Sequence, residues 1–194
     1  MAAGPPISRR TLRLLIGLPF VATWHATQAA DLWSALRDGR HLALMRHALA
    51  PGNYDPPGFR LGDCTTQRNL SDEGRAQARK VGDLFRANAI SAARVFSSQW
   101  CRCIDTATLL ALGSVTEQRL LNAYLGNRDV RNPEQVQALL AWISRQDLAV
   151  PVVLVTHEVV VSALSTVSAA SGEIVVMRRE GDGRLTLAGR LATA

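Results

Sequence analysis

The stretch HLALMRHA, residues 41–48, decides how this chain is interpreted. The apolar run 42–45 predicts a short strand that is buried on both faces. Arg46 and His47 follow directly, and a guanidinium and an imidazole at the end of a buried strand are costly without partners. On their own these residues favour a strand that surfaces with two solvated polar side chains. The rest of the chain favours a functional site instead.

The composition is that of one folded domain. The chain has 194 residues, of which 20% are charged and 47% hydrophobic, enough for a single hydrophobic core. The formal net charge is +6, but the sequence has no nucleic-acid motif and no basic stripe interleaved with aromatic residues. We therefore expect no nucleic-acid partner.

Residues 1–29 predict a secretory signal peptide. Arginines lie before or within the start of an apolar stretch, residues 12–21, and small residues follow it. We expect cleavage after Ala29, a periplasmic or secreted domain over residues 30–194, and no stable membrane span after cleavage, because the apolar stretch is short. Residues 8–12 also loosely resemble a twin-arginine signal, so the export route stays open, with an uncleaved anchor as the alternative.

The 3 cysteines of an exported chain predict one disulfide and one free thiol. Cys101 and Cys103 flank Arg102 and are too close in sequence to bridge each other easily. Cys64 is expected to pair with one of them, with Cys101 slightly preferred, which would tie the long first loop to the turn at Arg102. A zinc site is the weaker alternative, because a second pair of ligands is missing. We expect neither a metal nor a cofactor.

Strand and helix patterns alternate along the chain. They predict helices over 31–37, 71–88, 98–112, 133–143 and 158–165, strands over 94–97, 115–116 and 152–156, and a closing hairpin within 173–191. This alternation favours an α/β fold with three layers, α/β/α, around a mostly parallel central sheet.

Polar residues follow the carboxyl ends of the predicted strands, where open α/β sheets bind ligands. Arg46 and His47 follow one strand, Arg102 comes shortly after another, and His157 ends a third. Two arginines and two histidines at one edge suggest phosphoryl transfer. Guanidinium groups match the charged oxygens of a phosphoryl group, and a neutral histidine can attack phosphorus and hold the group covalently.

These motifs resemble those of the histidine phosphatase superfamily, which has the phosphoglycerate mutase-like fold. Residues 44–48 are similar to its Arg-His-Gly motif, with Ala48 in place of the glycine. The resemblance runs from about His41 to Arg178, and it includes residues 67–71 with Gly74, residues 97–98 with Arg102, residues 106–107 and residues 155–157.

The resemblance implies a role for each site residue. His47 would be the phosphorylated nucleophile, Arg46, Arg102 and His157 would complete the phosphate pocket, and Asn53 would contact the phosphate. Arg60 and Arg68 are expected to be solvated loop residues rather than part of the pocket rim.

The acid that protonates the leaving group is left open. Glu158 is preferred because it adjoins His157, where the acid phosphatase branch places an aspartate. It could equally be an ordinary acid in the first turn of a helix. Asp129 and Glu117 are the alternatives.

Two classes of function follow. The favoured one is an exported phosphatase that hydrolyses a phosphomonoester or a related phosphoryl compound through a phosphohistidine, with a small phosphorylated molecule expected as substrate rather than a protein. A mutase is not favoured because the chain lacks a large cap segment. The alternative is a non-catalytic phosphate-binding or scaffold protein on the same fold.

Overall fold

Six strands form one sheet in the computed structural model, which describes residues 1, 29, 31–123 and 133–193. The strands are β1 (His41–Arg46), β2 (Arg94–Ser97), β3 (Val115–Glu117), β4 (Val152–Thr156), β5 (Ile174–Arg179) and β6 (Leu185–Leu191). The helices are α1 (Asp72–Ala87), α2 (Cys101–Leu109), α3 (Pro133–Ser144) and α4 (Glu158–Ser165), and residues 31–35 are also helical.

The sheet has the strand order β3-β2-β4-β1-β5-β6. β3, β2, β4 and β1 run parallel, and β5 and β6 close the sheet as an antiparallel hairpin. The mostly parallel sheet predicted from the sequence is therefore confirmed. The antiparallel edge is the hairpin that the turn residues 181–183 predict.

Side chains of β1 alternate between two hydrophobic clusters. Ala43 and Met45 pack with residues of α1 and α2, whereas Leu42 and Leu44 pack with residues of α3 and α4. Because helices cover both faces, β1 is buried on both sides, as a continuous apolar run predicts. The three-layer α/β/α architecture is confirmed.

The start of α1 packs directly against the chain that follows His47. Ser71 caps the helix by accepting a hydrogen bond from the amide of Gly74 at 3.1 Å. A Cβ atom at Gly74 would lie 2.0 Å from the carbonyl oxygen of Leu49, so only glycine allows this approach. The long loop between β1 and α1 is therefore fixed at its beginning by a backbone contact.

Some predictions concern residues that the structure does not describe. The signal-peptide prediction falls almost entirely on residues 2–28, and Asp129 lies in the segment 124–132; both segments are outside the described residues. Within the described part of the chain, no helix is both long and apolar enough to cross a membrane.

Candidate active site

β1 and β4 bring the two predicted histidines together. The strands are paired in parallel with Arg46 opposite Thr156, and the amide of His47 donates to the carbonyl oxygen of Thr156 at 2.9 Å. His47 and His157 therefore leave the sheet side by side, with ring centroids 5.6 Å apart. Both side chains are almost fully buried.

His47 presents an unprotonated ring nitrogen to the site. Its Nδ1 lies 2.8 Å from the carbonyl oxygen of Ala48, which can only accept, so Nδ1 carries the proton and Nε2 carries the lone pair. Burial, together with the charges of Arg102, Arg68 and Arg46, lowers the pKa of His47 to about 3, although the bond to Ala48 opposes this shift. The imidazole is therefore neutral at physiological pH.

His157 has the opposite tautomer to His47, and a chain of hydrogen bonds fixes it. Arg102 Nη2 lies 3.4 Å from His157 Nδ1, and since a guanidinium can only donate, Nδ1 accepts. Nε2 then donates to Ser98 Oγ at 2.8 Å, and Ser98 donates to Asn122 Oδ1 at 3.1 Å. Burial first, and then the nearby Arg102, lower the pKa of His157 well below its ordinary value.

Arg102 joins the two histidines. It is the second residue of α2, and its Nε lies 3.3 Å from His47 Nε2 while its Nη2 approaches His157. Thr106, one helical turn later, accepts a hydrogen bond from the amide of Ala48 at 3.0 Å. α2 therefore places the guanidinium and also holds the backbone beside His47.

Two further arginines line the same site. Arg46 Nη1 donates to the carbonyl oxygen of Ala169 at 2.9 Å, and Arg68 Nη1 donates to that of Ala50. The Nε atoms of Arg46 and Arg68 are buried and make no hydrogen bond within the described part of the chain. Burial and the charges of Arg102 and Arg46 lower the pKa of Arg68, although Asp55 opposes this shift.

The expectation that Arg68 is a solvated loop residue is wrong. Its charge acts on both histidines, because Arg68 is half-buried and its backbone lies against Asp55 and Arg102. Arg60, by contrast, is exposed and pairs with Asp63 at 2.6 Å, as expected for a loop arginine.

Among the described residues, the remaining candidates Asn53, Glu158 and Glu117 make no hydrogen bond to the two histidines. Asn53 is exposed on the loop after β1. Glu158 is half-buried at the first position of α4, directly after His157. Glu117 is exposed at the end of β3 and accepts a hydrogen bond from Gln99 Nε2 at 3.3 Å. Asn53 and Glu158 therefore stay predictions, as does the choice between Glu158, Glu117 and Asp129.

A carboxylate that sequence reasoning missed lies inside the site. Asp55 pairs with Arg102 Nη1 at 2.9 Å and also accepts hydrogen bonds from the indole Nε1 of Trp100 and the amide of Arg68. It stands in a proline-rich loop, where an aspartate is typical of a turn. The one signal that could have found it is the expected disulfide, which brings this loop to Arg102.

The structure contains that disulfide, between Cys64 and Cys101, the slightly preferred partner. Gln67 Oε1 accepts a hydrogen bond from the amide of Cys101 at 3.0 Å, beside the bridge. Cys103 is free and buried. Among the described residues, no cluster of three or more His, Cys, Asp or Glu side chains could hold a metal ion.

The fold and this constellation define a class of protein. A sequence model of the histidine phosphatase superfamily (branch 1) matches residues 42–142, and the chain belongs to this superfamily. By that membership it is a phosphatase. A search of curated protein sequences finds no match.

Solved structures of similar fold support the architecture. The protein histidine phosphatase SixA complexed with tungstate is 18% identical, with a TM-score of 0.56, over 79% of this chain and 97% of that one. The Rv3214 protein from Mycobacterium tuberculosis is 20% identical, with a TM-score of 0.55, over 76% and 95%. The mycobacterial glucosyl-3-phosphoglycerate phosphatase Rv2419c is 18% identical, with a TM-score of 0.53, over 77% and 97%. At these identities the likeness concerns the fold alone.

Proposed function

We propose that this chain is an exported phosphatase that hydrolyses a phosphomonoester or a related phosphoryl compound through a phosphohistidine at His47. The observation that carries the proposal is the state of His47: its Nδ1 proton is engaged by Ala48, and its Nε2 lone pair lies 3.3 Å from Arg102. A neutral, buried and oriented imidazole is the form of histidine that can attack phosphorus.

The charges around His47 support a phosphoryl substrate. Arg46, Arg68 and Arg102 surround two histidines whose pKa values are lowered, and Asp55 balances part of this positive charge. A guanidinium donates charge-assisted hydrogen bonds that match phosphoryl oxygens, so three guanidinium groups around His47 fit a phosphoryl group.

The proposed reaction has two steps. The Nε2 atom of His47 forms a bond to phosphorus while the bond from phosphorus to the leaving oxygen breaks, and that oxygen receives a proton, for which Glu158 is the preferred donor. Water then adds to the phosphorus of phosphohistidine and gives its proton to the same acid, now a base. The N–P bond breaks, which restores neutral His47 and releases inorganic phosphate.

Export is supported by two features. In residues 1–29, arginines, an apolar stretch and small residues follow one another in the order that is typical of a signal peptide. The Cys64–Cys101 bridge fits an oxidising compartment such as the periplasm. N-terminal sequencing of the native protein tests this part, with a mature chain expected to start near residue 30. A mature chain that still begins at Met1 would contradict export.

Trapping the covalent intermediate tests the mechanism. Wild-type protein is mixed briefly with a ³²P-labelled aryl phosphate and quenched in base, and we expect a label that is stable to base and lost in acid. His47→Ala should carry no label and turn over at background while still binding inorganic phosphate, because the arginines stay in place. His41→Gln is the matched control, since His41 lies at the opposite end of β1 and pairs with Asp38 outside the site.

The outcomes separate the two classes of function. Protein that binds phosphate but neither hydrolyses a panel of phosphate esters nor becomes labelled would be the non-catalytic alternative. Turnover near the wild-type level in His47→Ala would show that the phosphohistidine mechanism is wrong for this chain.

A further inference from the structure

We infer that Asp55 is a positioning residue. Its ion pair with Nη1 of the Arg102 guanidinium keeps the Nε–Nη2 edge of that group facing the two histidines. The inference rests on the proposed function, because this edge is the one that would bind the oxygens of the transferred phosphoryl group.

The contacts of Arg102 divide its guanidinium into two parts. Nη1 pairs with Asp55 Oδ1 at 2.9 Å and also donates to the carbonyl oxygen of Arg68 at 3.4 Å. Nε and Nη2 point to His47 Nε2 and His157 Nδ1 at 3.3 and 3.4 Å. The two nitrogens of one edge thus approach a ring nitrogen of each histidine.

The ion pair with Asp55 is the strongest of these contacts. It is the shortest, it joins two full charges, and the two side chains are only 5% and 11% exposed, so solvent screens it little. The contacts to the histidines are long for hydrogen bonds. Because a guanidinium is planar and its donors are rigidly arranged, holding Nη1 sets the direction of the opposite edge.

Asp55 is itself immobilised by its other partners. Its Oδ1 also accepts from the amide of Arg68 at 3.0 Å, and its Oδ2 accepts from Trp100 Nε1 at 3.1 Å. Burial opposes ionisation, but the hydrogen bond from Arg68 and the charge of Arg102 outweigh it, so the pKa of Asp55 is lowered. An ionised carboxylate with both oxygens engaged is a poor proton donor, which assigns Asp55 to positioning rather than to acid catalysis.

The position of Asp55 gives the inference a decisive test. A negative charge beside an anion site weakens anion binding, so charge alone predicts that Asp55→Asn binds phosphate and vanadate more tightly. Positioning predicts the opposite for the transition state, because a guanidinium that is free to rotate no longer presents its edge.

The experiment compares Asp55→Asn with Asp63→Asn. Asp63 lies on the same loop and also pairs with an arginine, Arg60, but outside the site, so Asp63→Asn controls for loop destabilisation. For Asp55→Asn we expect kcat for an aryl phosphate to fall about 10- to 100-fold and orthovanadate affinity to fall in proportion, with a smaller change for inorganic phosphate. Asp63→Asn should keep wild-type values.

Each outcome supports or overturns the inference. Unchanged kcat, or tighter binding of vanadate in Asp55→Asn, would overturn it. An equal loss in both variants that follows a fall in Tm would also overturn it, because it would show a role in loop stability only. Label at His47 in the wild type tests the proposed function separately: without it the function fails, whereas normal labelling rates in Asp55→Asn defeat only the role of Asp55.

Discussion

The two histidines and the groups that surround them are held by different kinds of structure. His47 and His157 follow the ends of two paired strands in the centre of the sheet, which are buried except for the half-buried Arg46. Asp55 and Arg68 lie on the loop between β1 and α1, which contains little regular structure apart from the short 3-10 turn Cys64–Thr66.

The loop between β1 and α1 is held by a few specific bonds to residues 100–102, at the start of α2. Asp55 accepts from the indole of Trp100, Cys64 is bonded to Cys101, and Asp55 pairs with Arg102. The strands, in contrast, are supported by two large hydrophobic clusters, to which the loop adds only the partly buried Phe59 and Leu61, besides a small cluster that it shares with α1. The comparison teaches that the proposed nucleophile, His47, is placed by the core, whereas the loop's contribution to the proposed oxyanion site, Asp55 and Arg68, depends more on individual side-chain bonds and is easier to damage.

Breaking the disulfide should damage the loop and spare the sheet. Cys64→Ser opens a bridge with a sequence separation of 37, and the entropy of the unfolded chain predicts a loss of about 4 kcal/mol in the free energy of unfolding. Denaturant titration measures this loss. Phosphate affinity should fall as well, while the far-UV circular dichroism of the folded variant stays that of the wild type. Cys103→Ala, which keeps the bridge, is the control, and a loss below about 1 kcal/mol in Cys64→Ser would contradict the comparison.

Arg102→Ala should lower both oxyanion binding and turnover. A guanidinium that binds phosphoryl oxygens acts in the ground state and in the transition state, so we expect kcat/KM to fall about 100-fold or more and phosphate affinity to weaken. Arg102→Lys keeps the positive charge but lacks the planar, paired donors of a guanidinium, so its loss should be smaller than that of Arg102→Ala but not absent. Steady-state kinetics and calorimetry measure both effects, with the loop residue Arg60→Ala as the control. Normal phosphate affinity in Arg102→Ala would contradict this role.

Glu158→Gln tests whether the sheet also places the acid, since Glu158 follows His157 at the start of α4. Loss of a general acid should slow alkyl phosphates on the order of 100-fold, whereas an activated aryl phosphate, whose leaving oxygen needs little protonation, should change by less than about threefold. Glu117→Gln is the matched variant for the second described candidate. If neither variant discriminates between leaving groups, neither residue is the acid.

Acid should destabilise the chain through its buried histidines. The folded pKa of His47 is about 3 against an ordinary 6.5, so between these values the unfolded state binds a proton that the folded state does not. Stability therefore falls as the pH drops from 6.5 towards 3, by about 2 kcal/mol at pH 5 for His47 alone. His157 acts in the same direction.

Denaturant titrations at pH 7 and pH 5 measure this effect. His47→Gln should lose less stability than the wild type between the two values, because glutamine does not titrate. Equal losses in the two proteins would show that His47 is not buried in its neutral form.

The sheet could be predicted from the sequence because its strands carry strong signals. The apolar runs 42–45 and 152–155 are each followed, after one intervening residue, by a histidine, and parallel pairing brings their carboxyl ends together. Regular periodicity and helix capping likewise predict α1 at Ser71 and α3 at Pro133. The sequence thus predicts where the imidazoles lie, though not which of their nitrogens is unprotonated.

The surroundings of the histidines could not be predicted in the same way. Asp55 and Arg68 are brought to the site by an irregular loop, and Asn122 reaches Ser98 from the turn after β3. No periodicity describes such segments, and their side chains resemble solvated turn residues. The number of cysteines predicted a disulfide that ties the loop to the turn at Arg102. It did not predict which loop residues this disulfide would bring to the site.

The third cysteine, Cys103, affects how well the Cys64–Cys101 disulfide resists thiol–disulfide exchange. Cys103 lies two residues from the bridged Cys101, packed against His157 at 3.5 Å, and burial raises the pKa of its thiol to about 12. Disulfide exchange requires a thiolate, and at pH 7 only about one such thiol in 10⁵ is ionised. Burial of Cys103 therefore slows exchange of its sulfur into the bridge once the core has closed, which protects the Cys64–Cys101 pairing kinetically.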